Sequence, residues 1–282
     1  MAIGILYESK EWSSFALRDY INEMGVSATL IDMQEDISAK GLLSYELIVN
    51  RVFASSVFRG HQKALDQMPA ALDLLQKHGV PILNPAEAHY YEISKTRAKG
   101  ALAAHAFPVP KLLSDHSIKF PCVLKPDCGG RTSYTFIVQS FEELCEKRRE
   151  SGDIRFITEE YIRPDLGYVT RIEVIGKECR LALKRSVTEN GLSAYHLGSE
   201  YEVYGDLPEE IRDTAVRAMD CLKIEAGSMD IIENKTGYYI IDVNSVSNAS
   251  FDNTEMFGFD LMKETAAYAV RRTKLSNSRF DI

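Results

Sequence analysis

The most informative part of the sequence is GSMDIIENKTGYYIIDVN, residues 227–244. Two apolar runs flank Asn234-Lys235-Thr236-Gly237, a turn-type sequence, so the segment is predicted to form a β-hairpin. Asp242 and Asn244 are two residues apart and point to the same face of the second strand. Asp230 lies on the first strand roughly opposite Asp242, where facing Cβ atoms are about 5 Å apart. The pattern predicts three oxygen-bearing side chains on one face.

Such a face suits a metal ion. Carboxylate and amide oxygens, together with substrate phosphates, are the ligands that Mg²⁺ takes in proteins, so Asp230, Asp242 and Asn244 form a candidate metal site. The alternative is a hairpin whose polar residues simply face solvent. An aspartate flanked by Ile241 and Val243 favours the metal site, because aspartate is depleted in strands.

Composition bounds the class of protein. The chain has 282 residues, 45% of them hydrophobic, which allows one large or two to three small domains. The formal net charge of −8 argues against a nucleic-acid-binding surface. No run of 18 apolar residues occurs, so no membrane span is expected, and the first residues lack the basic start of a signal peptide. Five scattered cysteines without a C-x-x-C pair predict reduced thiols in a cytoplasmic protein.

The two halves of the chain differ in their predicted elements. Strands alternate with helices over the first ~85 residues, which predicts a small, doubly wound parallel α/β sheet. The remainder is rich in strands with antiparallel pairs and is therefore α+β. Its predicted elements are a helix over 94–105 capped by Ser94, strands at 120–126, 134–138, 156–162, 171–175 and 179–187, and helices at 141–150, 208–223 and 260–272.

Lys125 is a candidate phosphate ligand. It lies inside an apolar strand, just before a proline, where its charge needs a partner to offset desolvation. Gly129 and Gly130 begin a loop, continued by residues 131–133, whose N–H groups could surround phosphates. The alternative is a lysine that reaches solvent from a strand end beside a plain turn, since no P-loop motif occurs.

Three further segments are candidates for the same chemistry. Lys95 follows Ser94 at a helix start, where the helix dipole favours an anion, although first-turn lysines are usually solvated. The strand Glu159-Glu160-Tyr161-Ile162 could hold adenine through its backbone, or could be an edge strand. Arg171 is predicted to share its face with either Lys184 or Arg185 and could clamp a phosphoryl group, the alternative being a surface ion-pair ladder.

The order of these segments resembles the ATP-grasp superfamily over nearly the whole chain. Within it the sequence looks closest to the short ligases that include ribosomal-protein glutamate ligases and lysine-biosynthesis enzymes acting on an amino-group carrier protein. The segments that carry the resemblance are Val80-Pro81-Ile82-Leu83-Asn84, Ser94-Lys95-Thr96, Val123-Leu124-Lys125-Pro126, Glu159-Glu160-Tyr161-Ile162, Lys184-Arg185-Ser186 and Ile241-Asp242-Val243-Asn244.

The resemblance implies an ATP-grasp fold with three parts and a role for each candidate residue. The parts are an N-terminal parallel α/β domain over 1–89, a central lid region over 90–160 and a C-terminal antiparallel-sheet domain with the metal site over 161–282. The implied roles are nucleotide binding by Lys95, Lys125, Gly129, Gly130, Glu159, Glu160, Tyr161 and Ile162, catalysis by Arg171 with Arg185 or Lys184, metal binding by Asp230, Asp242 and Asn244, and substrate binding by Arg51, Ser247 and Asn248.

The sequence also departs from the family pattern. Asp242 stands where the family usually has glutamate. Val169 stands where an acid holds the ribose, with Asp165 as an alternative. The segment 187–206 lacks the expected asparagine and paired glycines, and Arg131-Thr132-Ser133 is an atypical phosphate loop. These departures leave the substrates open.

The implied function is an ATP-dependent carboxylate–amine ligase. A carboxylate would form an acyl phosphate with release of ADP, and an amine would then displace phosphate to give an amide, with Mg²⁺ or Mn²⁺ as the metal. The expected substrates are small-molecule or peptide carboxylates and amines, with no nucleic-acid or membrane partner and with homo-oligomers possible. The alternatives are a kinase that needs no amine and a nucleotide-binding regulatory protein without ligase activity.

Overall fold

A parallel sheet forms the N-terminal part of the computed structural model, which describes residues 1–277. Its strands have the order β2-β1-β3-β4. They are β1 Ala2–Tyr7, β2 Ser27–Asp32, β3 Leu47–Arg51 and β4 Ile82–Leu83, and the helices between them are α1 Trp12–Glu23, α2 Ala39–Leu42 and α3 Gln62–Lys77. β4 has only two residues, and Pro81 just before it has no N–H to pair with a neighbouring strand.

A three-stranded antiparallel sheet follows, in the order β6-β5-β7. Its elements are α4 Ala86–Glu92, α5 Lys95–Ala104, β5 Cys122–Pro126, β6 Phe136–Val138, α6 Phe141–Glu150 and β7 Phe156–Glu160. Ser94 caps α5 by accepting a hydrogen bond from the Arg97 N–H, as the sequence predicts, and Ser140 caps α6 in the same way.

The third sheet has five antiparallel strands in the order β10-β9-β8-β11-β12. Its elements are β8 Tyr168–Ile175, β9 Glu178–Ser186, β10 Tyr201–Val203, α7 Glu209–Cys221, β11 Ala226–Asn234, β12 Gly237–Asn244, α8 Phe251–Phe257 and α9 Leu261–Asn277. One parallel and two antiparallel sheets in this order confirm the predicted mixed α/β and α+β architecture. The domain boundaries after residues 89 and 160 stay a prediction.

The predicted hairpin is β11 and β12. Asn234 pairs with Gly237, which leaves Lys235 and Thr236 as a two-residue turn, and Asp230 pairs directly with Asp242. The register shifts just after Asp230. Because paired residues of antiparallel strands share a face, Asp230 and Asp242 project from the same side of the sheet.

Two features hold the hairpin against the N-terminal sheet. The side-chain amide of Asn84 donates hydrogen bonds to the carbonyl oxygens of Ala226 (2.8 Å) and Ser245 (2.6 Å). Its Oδ1 accepts from the N–H groups of Glu225 and Ala226. In addition, the C-terminal helix α9 packs on α1 and the parallel sheet, where Leu261, Met262 and Ala266 join a single buried cluster with Leu17 and Ile21. These contacts fix the position of the five-stranded sheet relative to the parallel sheet.

Among the helices that the structure describes, none combines the length and the apolar character that a membrane-spanning helix needs.

Candidate functional site

The candidate site lies on one face of the five-stranded sheet. Strand register aligns a row of four side chains across it: Leu183 on β9 pairs with Arg171 on β8, Arg171 with Asp230 on β11, and Asp230 with Asp242 on β12. The next row contains Leu181, Glu173, Ser228 and Asn244. The sequence-predicted cation, carboxylates and amide thus lie on neighbouring strands, about 5 Å apart.

Asp230 is buried between two arginines. Its carboxylate lies 3.4 Å from Arg171 Nη1 and 3.0 Å from Arg185 Nη2. Arg171 also pairs with Glu173 at 2.8 Å and donates a hydrogen bond to Ser247 Oγ at 3.0 Å. Burial alone would lower the pKa of Arg171, but Glu173 and Asp230 outweigh it and raise the pKa. Arg171 is therefore a permanent positive charge at this point of the sheet.

Lys184 lies apart from this cluster. Its Nζ is 4.1 Å from the ring centroid of Tyr204 and 5.2 Å from that of Tyr168. Alternation along β9 turns it away from the face that carries Arg185. Of the two cations that the sequence left open as partners of Arg171, the structure brings Arg185 to the site.

Two lysines and one glutamate form a buried network beside Asp242. Lys125 Nζ lies 2.8 Å from Glu159 Oε1, and Lys99 Nζ lies 2.9 Å from Glu159 Oε2. Both lysines also donate to the Ile241 carbonyl oxygen, at 2.8 and 3.2 Å. Burial would raise the pKa of Glu159, but the two lysines hold it below its usual value. Burial lowers the pKa of Lys99 to about 8.

The network also bears on the predicted adenine segment. The Glu159 carboxylate is ion-paired with Lys125 and Lys99, and the prediction for this segment, which concerns its backbone, stays a prediction. Lys99 was not a sequence candidate. It follows Lys95 by one helical turn on α5, and that i, i+4 spacing is the signal that could have identified it.

Lys95 connects the glycine loop to the hairpin. Its Nζ donates a hydrogen bond to the Gly129 carbonyl oxygen at 2.7 Å and lies 3.7 Å from Asp242 Oδ1. Burial would raise the pKa of Asp242, but Lys95, Lys125 and Lys99 together lower it. Asp242 is therefore ionised at neutral pH and is able to act as an acceptor or a metal ligand.

A nucleotide-side cavity of about 120 Å³ lies between the three-stranded and five-stranded sheets. It is lined by both phosphate candidates, Lys95 and Lys125, and by the whole predicted adenine segment. Its apolar lining includes Ile137, Ile162, Val169, Leu192, Ile232 and Ile241. Apolar walls with a few placed polar groups are typical of a site for a planar base.

Val169 lies in this apolar lining, whereas Asp165 forms an ion pair with Arg163 at 3.4 Å and is not among the lining residues. The structure therefore does not bring Asp165 to the position that the sequence suggested for it. The loop after β9 does contribute, through Gly191, Leu192 and Ser193. Sequence reasoning missed these three residues.

A substrate-side cavity of about 420 Å³ adjoins the first. It is lined by Arg171, Glu173, Asn244 and Asn248 from the five-stranded sheet and its C-terminal extension, and by Phe53 and Glu92 from the N-terminal part. Residues that line both cavities are Gly130, Thr132, Arg185, Ser193, Asp230 and Asp242. The two cavities thus meet at the carboxylate pair and Arg185.

Arg51 does not line the substrate-side cavity, but it supports the neighbouring turn at Ser247 and Asn248. It is buried and donates hydrogen bonds to the Ser247 carbonyl oxygen (2.6 Å) and to Ser13 Oγ (2.8 Å). Ser13 Oγ in turn donates to Asn248 Oδ1 at 3.1 Å. Ser247 Oγ donates to Glu173 Oε2 at 2.6 Å. The structure brings the three predicted substrate residues together, with Arg51 and Ser247 occupied in holding the turn and Asn248 lining the cavity.

The glycine loop contacts the N-terminal part. Gly129 packs against the Phe58 ring, and the Tyr134 ring lies 5.0 Å from the Phe58 ring. Arg131 forms an ion pair with Glu11. The backbone of Arg131 has a left-handed φ of 59°. These contacts close the loop over the place where the two cavities meet.

The residues present fit a hard divalent cation. Asp230, Asp242 and Asn244 offer oxygen ligands and all line the substrate-side cavity. Within the described residues, no group of three His, Cys, Asp or Glu side chains forms a metal site, so the amide of Asn244 and substrate oxygens would complete the set. Asp230 already balances two arginines, so the ionised Asp242 would be the strongest of the three ligands to such a cation.

Comparison with known proteins identifies the family of the chain. The model of the RimK-like ATP-grasp domain matches residues 70–268, well over half of the sequence. A probable alpha-L-glutamate ligase of Syntrophotalea carbinolica is 23% identical over 301 residues, covering 97% of each chain. A D-alanine–D-alanine ligase of Pediococcus pentosaceus is 28% identical over 172 residues, which cover 57% of this chain and 47% of that enzyme.

Solved structures agree in fold. The ATP-grasp ligase PsnB, complexed with minimal precursor, Mg and ADP, has a TM-score of 0.68 at 17% identity, over 96% of this chain and 98% of that chain. D-cycloserine synthetase DcsG has a TM-score of 0.70 at 14% identity, over 97% of this chain and 100% of that chain. These structures confirm the predicted ATP-grasp fold. The family model and the ligase relatives confirm the predicted class of ATP-dependent carbon–nitrogen ligase. The chain belongs to the RimK-like ATP-grasp family.

Proposed function

We propose that the protein joins a carboxylate and an amine into an amide, through an acyl phosphate, with conversion of ATP to ADP and phosphate. The observation that carries the proposal is the meeting of the two cavities at Arg185, Asp230 and Asp242. A nucleotide whose base lies between the sheets would present its terminal phosphate there. A carboxylate in the substrate-side cavity would then be in line with it.

The charges at this point suit phosphoryl transfer. The substrate carboxylate attacks the terminal phosphorus, and negative charge moves onto the phosphoryl oxygens and the leaving ADP. Arg185 borders both cavities, and Arg171 lies one strand away, so both guanidinium groups stabilise that charge. In the second step the amine attacks the acyl carbon and phosphate leaves.

Asp230, Asp242 and Asn244 are the residues that would hold Mg²⁺ or Mn²⁺. Such an ion would supply positive charge to offset the negative charge that develops on the phosphate oxygens. In the structure of PsnB, Mg and ADP are present together. We extend that pairing to this chain because Asp230, Asp242 and Asn244 offer the oxygen ligands that Mg²⁺ prefers.

The side chains around the nucleotide phosphates have separate proposed tasks. Lys95 and Lys125 contact phosphate oxygens, while Glu159 and Lys99 hold Lys125 in place from behind. The loop with Gly129 and Gly130 excludes water from the acyl phosphate, because its ring contact with Phe58 keeps it over the reacting groups. Tyr161 and Ile162 would contact adenine.

We also propose small molecules or peptides as substrates, since a net charge of −8 disfavours nucleic acid. All five cysteines are free thiols, in agreement with a cytoplasmic protein. Association into homo-oligomers is part of the same proposal, and light scattering of the purified protein tests it.

The function is tested with a coupled assay for ADP release on pairs of amino acids and short peptides, followed by mass measurement of the product. We expect ADP release to require both a carboxylate and an amine, and the product to have the mass of the pair less one water. Hydroxylamine replacing the amine should give a hydroxamate. ADP release that is independent of any amine would indicate a kinase. ATP binding without turnover across the whole panel would contradict the proposal.

A further inference from the structure

The substrate-side cavity is chemically divided along one strand boundary. Arg171 and Glu173 on β8 form its charged half, and Leu183 and Leu181 on β9 pair with them directly. Because neighbouring strands lie about 4.8 Å apart, the surface changes from charged to apolar within one strand spacing at these two pairs. Arg185, two residues beyond Leu183 on β9, also lines the cavity and ends the apolar stretch of that strand. The reacting groups of a substrate and its apolar part would therefore be held side by side.

Aromatic residues continue the apolar half. Tyr201 on β10 pairs with Arg185, and its ring lies 6.2 Å from that of Phe257 at the end of α8. We call the set Leu181, Leu183, Tyr201, Phe257 and Phe259 the apolar wall. All five line the cavity, and all are uncharged.

The apolar wall is only partly covered by protein. Leu183 is buried, but Leu181, Tyr201, Phe257 and Phe259 are half-buried and face the cavity. Apolar surface facing a cavity is a binding site for an apolar group, since each methylene transferred from water is worth about fourfold in affinity. The five residues of the wall offer no cation to a substrate carboxylate, and Arg185, the strand partner of Tyr201, is engaged by Asp230 at 3.0 Å.

We infer that one of the two substrates carries a bulky apolar side chain, of the size of leucine or phenylalanine, which binds against the apolar wall. The inference rests on the proposed ligase function and narrows its substrate class. It sets this chain apart from the relatives named as glutamate ligases, whose substrate has a charged side chain. The same chemistry could belong to the carboxylate or to the amine substrate.

One experiment with two arms shows whether the carboxylate or the amine substrate carries the apolar side chain. In the first, ADP release and hydroxamate formation are measured with hydroxylamine and a panel of amino acids that includes leucine, phenylalanine, alanine and glutamate. In the second, the best carboxylate is kept and the amine is varied over the same panel. We expect leucine or phenylalanine to exceed both alanine and glutamate at least tenfold in kcat/KM in one of the arms.

Variants of α8 test whether the apolar side chain binds at the apolar wall. Phe257→Ala should raise the KM for the apolar substrate about tenfold, with a smaller change in kcat and an unchanged KM for ATP. Met256→Ala is the matched control, because Met256 is its exposed neighbour and does not line the cavity. An unchanged KM in Phe257→Ala would overturn the inference.

The possible failures are distinct. A preference for glutamate in both arms would overturn the apolar substrate and leave the ligase function standing. No ADP release with any pair would overturn the ligase function and the inference together.

Discussion

Replacement of Lys125 by methionine separates a catalytic role from a structural one. Lys125 Nζ contacts Glu159 Oε1 at 2.8 Å and the Ile241 carbonyl oxygen at 2.8 Å, all in a buried setting. Removal of one partner from a buried ion pair costs about 3–5 kcal/mol. Lys99 still lies 2.9 Å from Glu159, so part of the carboxylate charge stays balanced. We therefore expect Lys125→Met to lower the free energy of unfolding by about 2–3 kcal/mol.

The activity should respond differently from the stability. If Lys125 also contacts nucleotide phosphates, ADP release should fall at least about 100-fold in Lys125→Met at saturating ATP. The double variant Lys125→Met/Glu159→Gln removes the unbalanced carboxylate and should recover at least about 1 kcal/mol of stability without recovering activity. Urea unfolding followed by circular dichroism measures the first quantity, and coupled ADP release the second.

Lys177→Met is the control for this series, because Lys177 is an exposed lysine whose ammonium lies 3.9 Å from Asp220. It should alter the free energy of unfolding by less than about 0.5 kcal/mol and leave turnover unchanged. Normal ADP release by folded Lys125→Met would refute the phosphate role. Unchanged stability in Lys125→Met would refute the buried network.

Three further perturbations test other parts of the structure. Asp242→Asn should keep the hairpin, yet require at least about tenfold more Mg²⁺ for half-maximal ADP release, and an unchanged requirement would exclude Asp242 as a ligand. Burial lowers the pKa of His89 to about 4. The unfolded chain therefore takes up a proton between about pH 6.5 and 4 that folded His89 does not, and stability falls by up to about 3 kcal/mol as the pH drops through that window. In urea unfolding, His89→Leu should lose less stability than the wild type as the pH drops through this window. An equal loss in the variant would assign the pH dependence to other groups. Gly129→Ala would drive a Cβ into the Phe58 ring from a φ of 144°, so ATP affinity in a binding titration should fall about tenfold, whereas Gly100→Ala, with open space around it, should bind as wild type.

The hairpin and the order of the elements along the chain were predictable because their signals are local. Apolar runs around Asn234-Lys235-Thr236-Gly237 specify the turn, which brings Asp230 roughly opposite Asp242. The register shift after Asp230, which the sequence did not predict, then pairs Asp230 with Asp242 directly. The cap of α5 by Ser94 is likewise predictable, because it depends only on neighbouring residues. Such features depend on positions a few residues apart, so sequence reasoning reaches them.

The features that the sequence did not predict depend on contacts between segments that are distant along the chain. Lys99 reads as a solvated helix residue, because Glu159, its ion-pair partner, lies 60 residues further along the chain. The choice of Arg185 over Lys184 follows from which face of β9 meets Asp230, which no local pattern fixes. The apolar wall joins Tyr201 to Phe257 through tertiary packing alone.

The packing of α9 on α1 has a consequence for synthesis of the chain. Leu17 and Ile21 of α1 share one buried cluster with Leu261 and Met262 of α9, about 240 residues later. α9 thus shields apolar surface of α1 that is synthesised much earlier, and until residues beyond 261 leave the ribosome that surface is open to chaperones and to other nascent chains. A ribosome stalled short of this helix would display a protease-sensitive N-terminal sheet, and completion of α9 would make it resistant.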